Sequence, residues 1–391
     1  MVERGRSFLL GYSTVSATYD MVIVGAGIVG AACAAEAARA GLKVRVLDRG
    51  PIGGGATGVA MGHIVVMDDS AAQYALTAYS RRLWRQRVPE LPADVEYEPC
   101  GTLWVAADDE EMAAVHRKNT FYTSKGSRVE VLDAAALRQA EPHLRLGLVG
   151  GLCVLEDAVI YPPGAARYLL EQAKAKAAEV SLGVEVRALG PNGRVELADN
   201  TCLHAGIVVN AAGCGSPELT PGLPIRKRKG HLVITDRYPG YLRHQIVELG
   251  YLKSAHSVAT DSVAFNIQPR QTGQLLIGSS RQFGAEQTDV EPRILGRMLR
   301  RAVEYLPTLP QLSALRVWTG HRAATPDKLP LIGPSVENDK VWLATGHEGL
   351  GITTSLATGK LLVDLILGRT TEIPAAPYAP ARLLKGDGAH G

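Results

Sequence analysis

The chain has 391 residues, 46% hydrophobic and 21% charged, which suits two or three folded domains and excludes a disordered or fibrous protein. Its 42 basic and 39 acidic side chains leave a net charge of +3, too balanced to call for a nucleic-acid partner. Five dispersed cysteines, Cys33, Cys100, Cys153, Cys202 and Cys214, form no CxxC pair, which argues against a resident metal site and for a reducing compartment.

Residues 1–18 read as a loose extension, with an apolar run too short for a secretory h-region. The first strong pattern follows. Tyr19 to Val24 is an apolar strand that leads into Gly25-Ala26-Gly27-Ile28-Val29-Gly30, then a small-residue helix closing at Gly41, then a second strand from Lys43 to Leu47 ending on Asp48. This is a dinucleotide-binding βαβ unit in full context. Gly25 allows the tight turn, Gly27 lets a pyrophosphate approach the backbone, and Gly30 lets helix pack on strand. The helix start offers unpaired N–H groups and positive dipole to phosphates. Asp48, 18 residues beyond Gly30, is placed for the adenosine ribose, with Arg49 beside it. Up to this point the dinucleotide can be FAD or NAD.

A second small-residue cluster, Gly53 to Gly58, follows directly, with Gly55, Ala56 and Thr57 at its centre, and then Ala60-Met61-Gly62-His63. Residues 70–92 read as a helix with a wet arginine face, 101–107 as a strand, 108–125 as a helix, and 165–178 as another helix. Strand patterns cover 180–189 and 194–198, and Ile207 to Gly213 is an apolar strand ending on Ala211-Ala212-Gly213. Arg226-Lys227-Arg228-Lys229 reads as a solvated loop before a strand. Strand patterns then recur at 231–235, 262–268 and 274–278, with Tyr251 in a strand-like stretch between them, and 291–305 reads as an amphipathic helix. A further strand, 341–345, runs into Gly346-His347-Glu348-Gly349-Leu350-Gly351, and a helix follows from Ile352 through Thr353 to Leu367, with Gly368 as its stop. No segment reaches the roughly 18 uninterrupted apolar residues of a membrane span. The expected location is the cytoplasm, with the inner membrane face as the alternative.

Trp318 to Gly333 contains Gly320-His321-Arg322-Ala323-Ala324-Thr325-Pro326-Asp327 and ends Pro330-Leu331-Ile332-Gly333. With the segments above, it resembles the FAD-dependent D-amino-acid oxidase, glycine oxidase and sarcosine oxidase superfamily over nearly the whole chain. The resemblance implies an α/β chain with two parts. One is a Rossmann-type FAD-binding domain made from 19–89, 146–222 and 318–372. The other is an α+β substrate domain with a mixed or antiparallel sheet, made from 90–145 and 223–317, and a tail follows from 373 to 391. It also implies that Gly55 to Thr57 follow the flavin's pyrophosphate and ribityl chain, that Ala60 to Gly62 pass its ring, that the backbone at Val186 meets the adenine, and that the segment from Gly346 to Thr353 faces the ring edge.

Arg322 would then grip the substrate carboxylate bidentately, a geometry a guanidinium fits and an ammonium does not. The alternative is a structural ion pair with Asp327. Ala323 departs from the pattern, which often has proline there. Tyr251, His63, His347 and Glu348 are the other candidates for contact with the substrate carboxylate, amine or ring hydroxyl. Within the superfamily, the runs 61–69, 100–106 and 346–352 look like D-hydroxyproline dehydrogenases and the amine-dehydrogenating subunit of bacterial hydrogen cyanide synthase. The implied reaction is oxidation of an amino or imino acid to the imine by hydride transfer from Cα to flavin N5, with electrons passed to oxygen or to flavin or iron–sulfur partner subunits. Two other classes remain: a non-catalytic flavin relay subunit and an NAD-dependent dehydrogenase.

Overall fold

The structure, a computed structural model, describes residues 19–250 and 261–384. Among these residues the strands form two eight-stranded sheets and a two-stranded ribbon. In the first sheet, Tyr19–Val24 is central and pairs in parallel with Val44–Asp48 on one side and Cys202–Asn210 on the other. Glu179–Leu182 extends the first side, and Val341–Thr345 then antiparallel Leu331–Pro334 extend the second. The chain therefore winds one way from Tyr19–Val24 and later the other. That makes the carboxyl end of this strand the switch point, where open α/β sheets leave a crevice.

The helix Ile28–Arg39 is held between Pro162–Lys174 and Gly351–Ile366, and its small residues permit close packing. A Cβ added at Gly359 would lie 2.7 Å from the Ala32 carbonyl oxygen, so the two backbones nearly touch there. Gly351–Ile366 is buried nearly all round, which explains why its sequence shows no polar face. Ala32→Leu would overpack this junction at a cost of about 1–3 kcal/mol. Gly368, at φ +63°, takes the left-handed turn just past the helix end.

The second sheet runs in the order Ala314–Ala324, Arg226–Arg237, Gln274–Phe283, Ser262–Pro269, Gln245–Glu248, Thr102–Ala106, Gly150–Val154, Val129–Asp133. It is mixed, since Gln245–Glu248 pairs in parallel with Thr102–Ala106 and antiparallel with Ser262–Pro269. Gly150–Val154 and the start of 318–372, grouped by sequence with the dinucleotide-binding part, pair in this second sheet. Alternation sorts its two faces. Leu103 and Val105 join the core with Met298 and Ala302 of the helix Pro292–Tyr305, while Thr102 and Trp104 face the opposite way, towards the first sheet.

One expectation fails here. Arg226 to Lys229 is no solvated loop but the start of Arg226–Arg237, with Arg228 only 4% and Lys229 only 1% exposed. The charges are tolerated because each meets a carboxylate, Glu348 and Glu291 respectively. Such pairing is invisible in a run of four cations. Among the described residues no helix is long and apolar enough to cross a membrane.

Candidate functional site

A cavity of about 570 Å³ opens at the switch point and continues to the inner face of the second sheet. Its first wall is built from the ends of three parallel strands and the turns that leave them: Gly25 and Gly27, Asp48 and Arg49, and Ala211 to Gly213. Gly25 sits at φ +120°, and a Cβ there would lie 2.4 Å from the Ala211 carbonyl oxygen. A Cβ at Gly30 would lie 1.9 Å from the Gly25 carbonyl oxygen, so helix and turn close on each other only because both are glycine. Asp48 accepts from the Ala26 N–H at 2.6 Å and the Gly50 N–H at 2.7 Å, one bond to each oxygen. Each oxygen keeps further accepting capacity on the cavity side. Thr57 is buried and accepts from the Ile28 N–H at 3.0 Å, tying the second glycine cluster to the helix start.

The opposite wall carries the cations. Arg322 lies directly opposite Arg228 in register, and both line the cavity with Arg281. The Arg322 guanidinium donates to the Ser280 carbonyl at 3.1 Å. Room for it comes from Gly230, where a Cβ would lie 2.6 Å from its Nη1. Arg228 forms a buried ion pair with Glu348, whose backbone N–H donates to the Ala323 carbonyl at 2.9 Å. Asp327 is paired instead with Arg382, at 2.6 Å, so the ion-pair partner considered for Arg322 is engaged elsewhere.

His63 faces the cavity from the short strand His63–Ile64. Its Nδ1 is 2.5 Å from Gln245 Oε1 and its Nε2 is 3.2 Å from Asn266 Nδ2. Burial holds its pKa below the usual histidine value; the Gln245 hydrogen bond opposes this, and the Arg322 and Arg270 charges add to it. His347 is buried, is 3.0 Å from Thr358 Oγ1, and is pushed down by burial to a pKa of about 3. Both imidazoles are therefore neutral near pH 7. Trp104 lines the same end, and its indole Nε1 has no hydrogen-bond partner.

The cavity gathers most residues singled out by sequence. Gly25, Gly27, Ile28, Val29, Asp48, Arg49, Gly55, Ala56, Thr57, Ala60, Met61, His63, Ala211, Ala212, Gly213, Arg322 and the run from Gly346 to Ile352 all line it. Ala26, Gly30, Gly62 and Thr353 lie just behind. Gly62 turns at φ +95°, and Thr353 donates to the His63 carbonyl at 2.8 Å. Val186 is not brought to the cavity; it packs beside the cluster of Leu47 and Val195. Tyr251 lies outside the described residues. Sequence reasoning missed Thr102, Trp104, Arg228, Gln245, Asn266 and Arg281. They sit on five different strands of the second sheet, and the one available signal was polar residues at alternating positions in otherwise apolar strands.

Comparison with known proteins agrees with this arrangement. The model of the DAO family, FAD dependent oxidoreductase, matches residues 20–365. The chain is 29% identical to hydrogen cyanide synthase subunit HcnC of Pseudomonas aeruginosa, covering 93% of this chain and 96% of that protein. It is 27% identical to glycine oxidase of Geobacillus kaustophilus, covering 93% and 97%. The crystal structure of the glycine oxidase from Geobacillus kaustophilus is similar with a TM-score of 0.83 at 26% identity, over 93% of this chain and 98% of that one. L-proline dehydrogenase from P. horikoshii shares the fold, with a TM-score of 0.85 at 23% identity over 95% and 99%.

Proposed function

The chain belongs to the DAO family of FAD-dependent oxidoreductases, and from that premise we propose that it oxidises an amino or imino acid to the imine, with cis-4-hydroxy-D-proline as the substrate. The observation that carries the reading is Arg322, a guanidinium facing the dinucleotide-binding turns across one continuous cavity. The first wall fits FAD. Gly25 and Gly27 leave backbone open to a pyrophosphate, the helix start at Ile28 offers its dipole, and Asp48 retains lone pairs for a ribose.

Arg322 binds the carboxylate as a fork and so fixes where Cα and the nitrogen lie, which supplies much of the rate by orientation. FAD, which the turns at Gly25, Gly27 and Asp48 would hold, would supply the hydride acceptor for this oxidation. Both cavity histidines are held neutral by burial, so neither repels an ammonium; once the ammonium has lost its proton to solvent on binding, hydride loss from Cα needs no side-chain base. Met61 and Leu232 pack together and give the cavity an apolar stretch of wall.

The hydroxyproline assignment rests on the resemblance of the runs 61–69, 100–106 and 346–352 to D-hydroxyproline dehydrogenases. The likeness to glycine oxidase supports a second reading, glycine or sarcosine oxidation with peroxide as product. The test is anaerobic mixing of the yellow holoprotein with cis-4-hydroxy-D-proline, D-proline, sarcosine and glycine in parallel. Fastest bleaching of the oxidised flavin band by hydroxyproline is expected, and bleaching by glycine or sarcosine alone would overturn that substrate. No bleaching by any of them would leave a relay subunit. Slow reoxidation in air is expected if electrons leave to a partner protein, as the designation of HcnC as a synthase subunit suggests; fast reoxidation would favour the oxidase.

A further inference from the structure

Arg322 is aimed by groups that lie outside the cavity. It stands on the edge strand Ala314–Ala324 and reaches across Arg226–Arg237, over Gly230, to donate to the Ser280 carbonyl on Gln274–Phe283 at 3.1 Å. Neighbouring strands lie about 4.8 Å apart, so the guanidinium is delivered roughly 10 Å from its own strand. The backbone it lands on is irregular. Lys229 pairs with Gln282 and Val233 with Ile277, so three residues, Gly230 to Leu232, face four, Gly278 to Arg281. Gln274–Phe283 therefore carries a bulge of one residue there, a feature that disrupts the ladder locally and re-aims groups beside a site.

Side-chain hydrogen bonds fix this bulge from the far face of the sheet. Gly230, Leu232, Ser279 and Arg281 line the cavity, and alternation turns the side chains of His231 and Ser280 to the other face. Both residues are fully buried. The Ser280 hydroxyl accepts the His231 backbone N–H at 2.9 Å and lies 2.9 Å from the imidazole Nδ1. The other ring nitrogen settles the tautomer. Nε2 meets the Glu291 backbone N–H at 3.0 Å, and that group can only donate. Nε2 is therefore the acceptor, and in the neutral ring the proton sits on Nδ1 and is donated to Ser280. Burial first, then the Lys229 charge, holds the His231 pKa below the usual histidine value; Glu291 opposes this and Arg322 adds to it. Glu291 is itself anchored by Lys229 and by Gln282, each at 2.9 Å, at the start of the helix Pro292–Tyr305. The imidazole thus ties the bulge to that helix.

We infer that His231 is a positioning residue for substrate binding: from behind the sheet it fixes Ser280, and with it the carbonyl that aims the Arg322 fork into the cavity. This rests on the reading of Arg322 as the carboxylate ligand and adds what holds that ligand in place. A hydroxyl gripped by two donors of one residue keeps its own peptide in place, and the Arg322 contact is to that peptide. A displacement of about 1 Å in such a group is enough to cost about 100-fold in rate.

The test is a double-mutant cycle on the FAD-loaded protein. Its readout is the second-order rate constant for anaerobic bleaching by whichever of the four amino acids above bleaches wild type fastest. His231→Leu and Ser280→Ala should each lower this constant by about 10-fold to 100-fold while the bound FAD stays in place. In an Arg322→Ala background, where no fork remains to be aimed, the same two changes should alter it by less than about twofold. His231→Asn, which keeps a donor close to the Nδ1 position, should retain most of the wild-type constant, whereas His231→Leu should not. Ser280→Ala removes a single oxygen and stands in for His231→Leu if the latter does not fold. Equal losses with and without Arg322, or no loss in either variant, overturn the inference alone and leave Arg322 as the carboxylate ligand. A constant unchanged by Arg322→Ala, or a wild-type flavin bleached by none of the four, overturns both.

Discussion

Arg228 and Glu348, 120 residues apart in sequence, form a buried ion pair at the cavity wall, and Arg228 lies directly opposite Arg322 in the neighbouring strand. Two guanidinium groups side by side repel. Glu348 offsets the charge of one of them in a crowded cationic wall, a condition that the ligand role proposed for Arg322 requires. The carboxylate reaches this position from a residue at φ +49°, a backbone conformation uncommon outside glycine.

Removing one partner should therefore harm more than removing both. Glu348→Gln is expected to lose about 3–5 kcal/mol of stability by leaving a buried cation uncompensated. The double variant Arg228→Met with Glu348→Gln should recover much of that loss. Urea unfolding of the four proteins measures the coupling; strictly additive losses would mean the pair is not energetically linked.

Arg322→Ala should leave bound FAD in place and lower kcat/KM by about 30-fold to 3000-fold, the range for truncating one partner of a buried charged pair. Arg322→Lys should recover part of this, since it restores charge without the fork. The flavin absorbance of each purified variant separates cofactor loss from substrate loss. Unchanged kinetics in Arg322→Ala would remove this residue from the substrate site.

Gly30→Ala puts a methyl group 1.9 Å from the Gly25 carbonyl oxygen, a contact that requires the turn and helix to separate. The expected result is a folded protein that retains little FAD after dialysis, with added FAD restoring activity only at high concentration. Asp48→Ala should weaken FAD more mildly, by about tenfold, through loss of hydrogen bonds alone. Retention of full FAD by Gly30→Ala would show that the cradle is more yielding than its geometry.

Stability should fall as the solution is acidified, and His347 is one cause. Its folded pKa of about 3 lies below the ordinary 6.5 because burial disfavours the imidazolium. Its contribution is therefore complete above pH 6.5 and is lost as pH falls from 6.5 towards 3, because the unfolded chain binds the proton first. His347→Gln should be less stable near pH 7 but show a shallower decline between pH 6.5 and 4. Parallel curves for the two proteins would exclude His347 as a source of the slope. His63, shifted the same way, contributes to the slope that remains.

The dinucleotide cradle was legible because its chemistry is local. Turn, helix start and strand end lie within thirty residues from Tyr19 to Asp48, and Gly25 and Gly30 there answer a backbone demand that no other residue meets. The family, the cofactor and Arg322 as a cavity residue followed from segments of that kind. The polar end of the cavity was not legible. Thr102, Gln245 and Asn266 stand on three strands, the first distant in the chain from the other two, and only sheet register brings Thr102 to Gln245 and brings Gln245 and Asn266 to His63. Burial of Arg228 and Lys229 was misread for the same reason, because the carboxylates that make it tolerable, Glu348 and Glu291, come from distant segments. Sequence determined the groups whose function depends on their own backbone. Tertiary structure alone decided which side chains share a hydrogen bond or a charge, because those energies depend on distances that the order of residues does not contain.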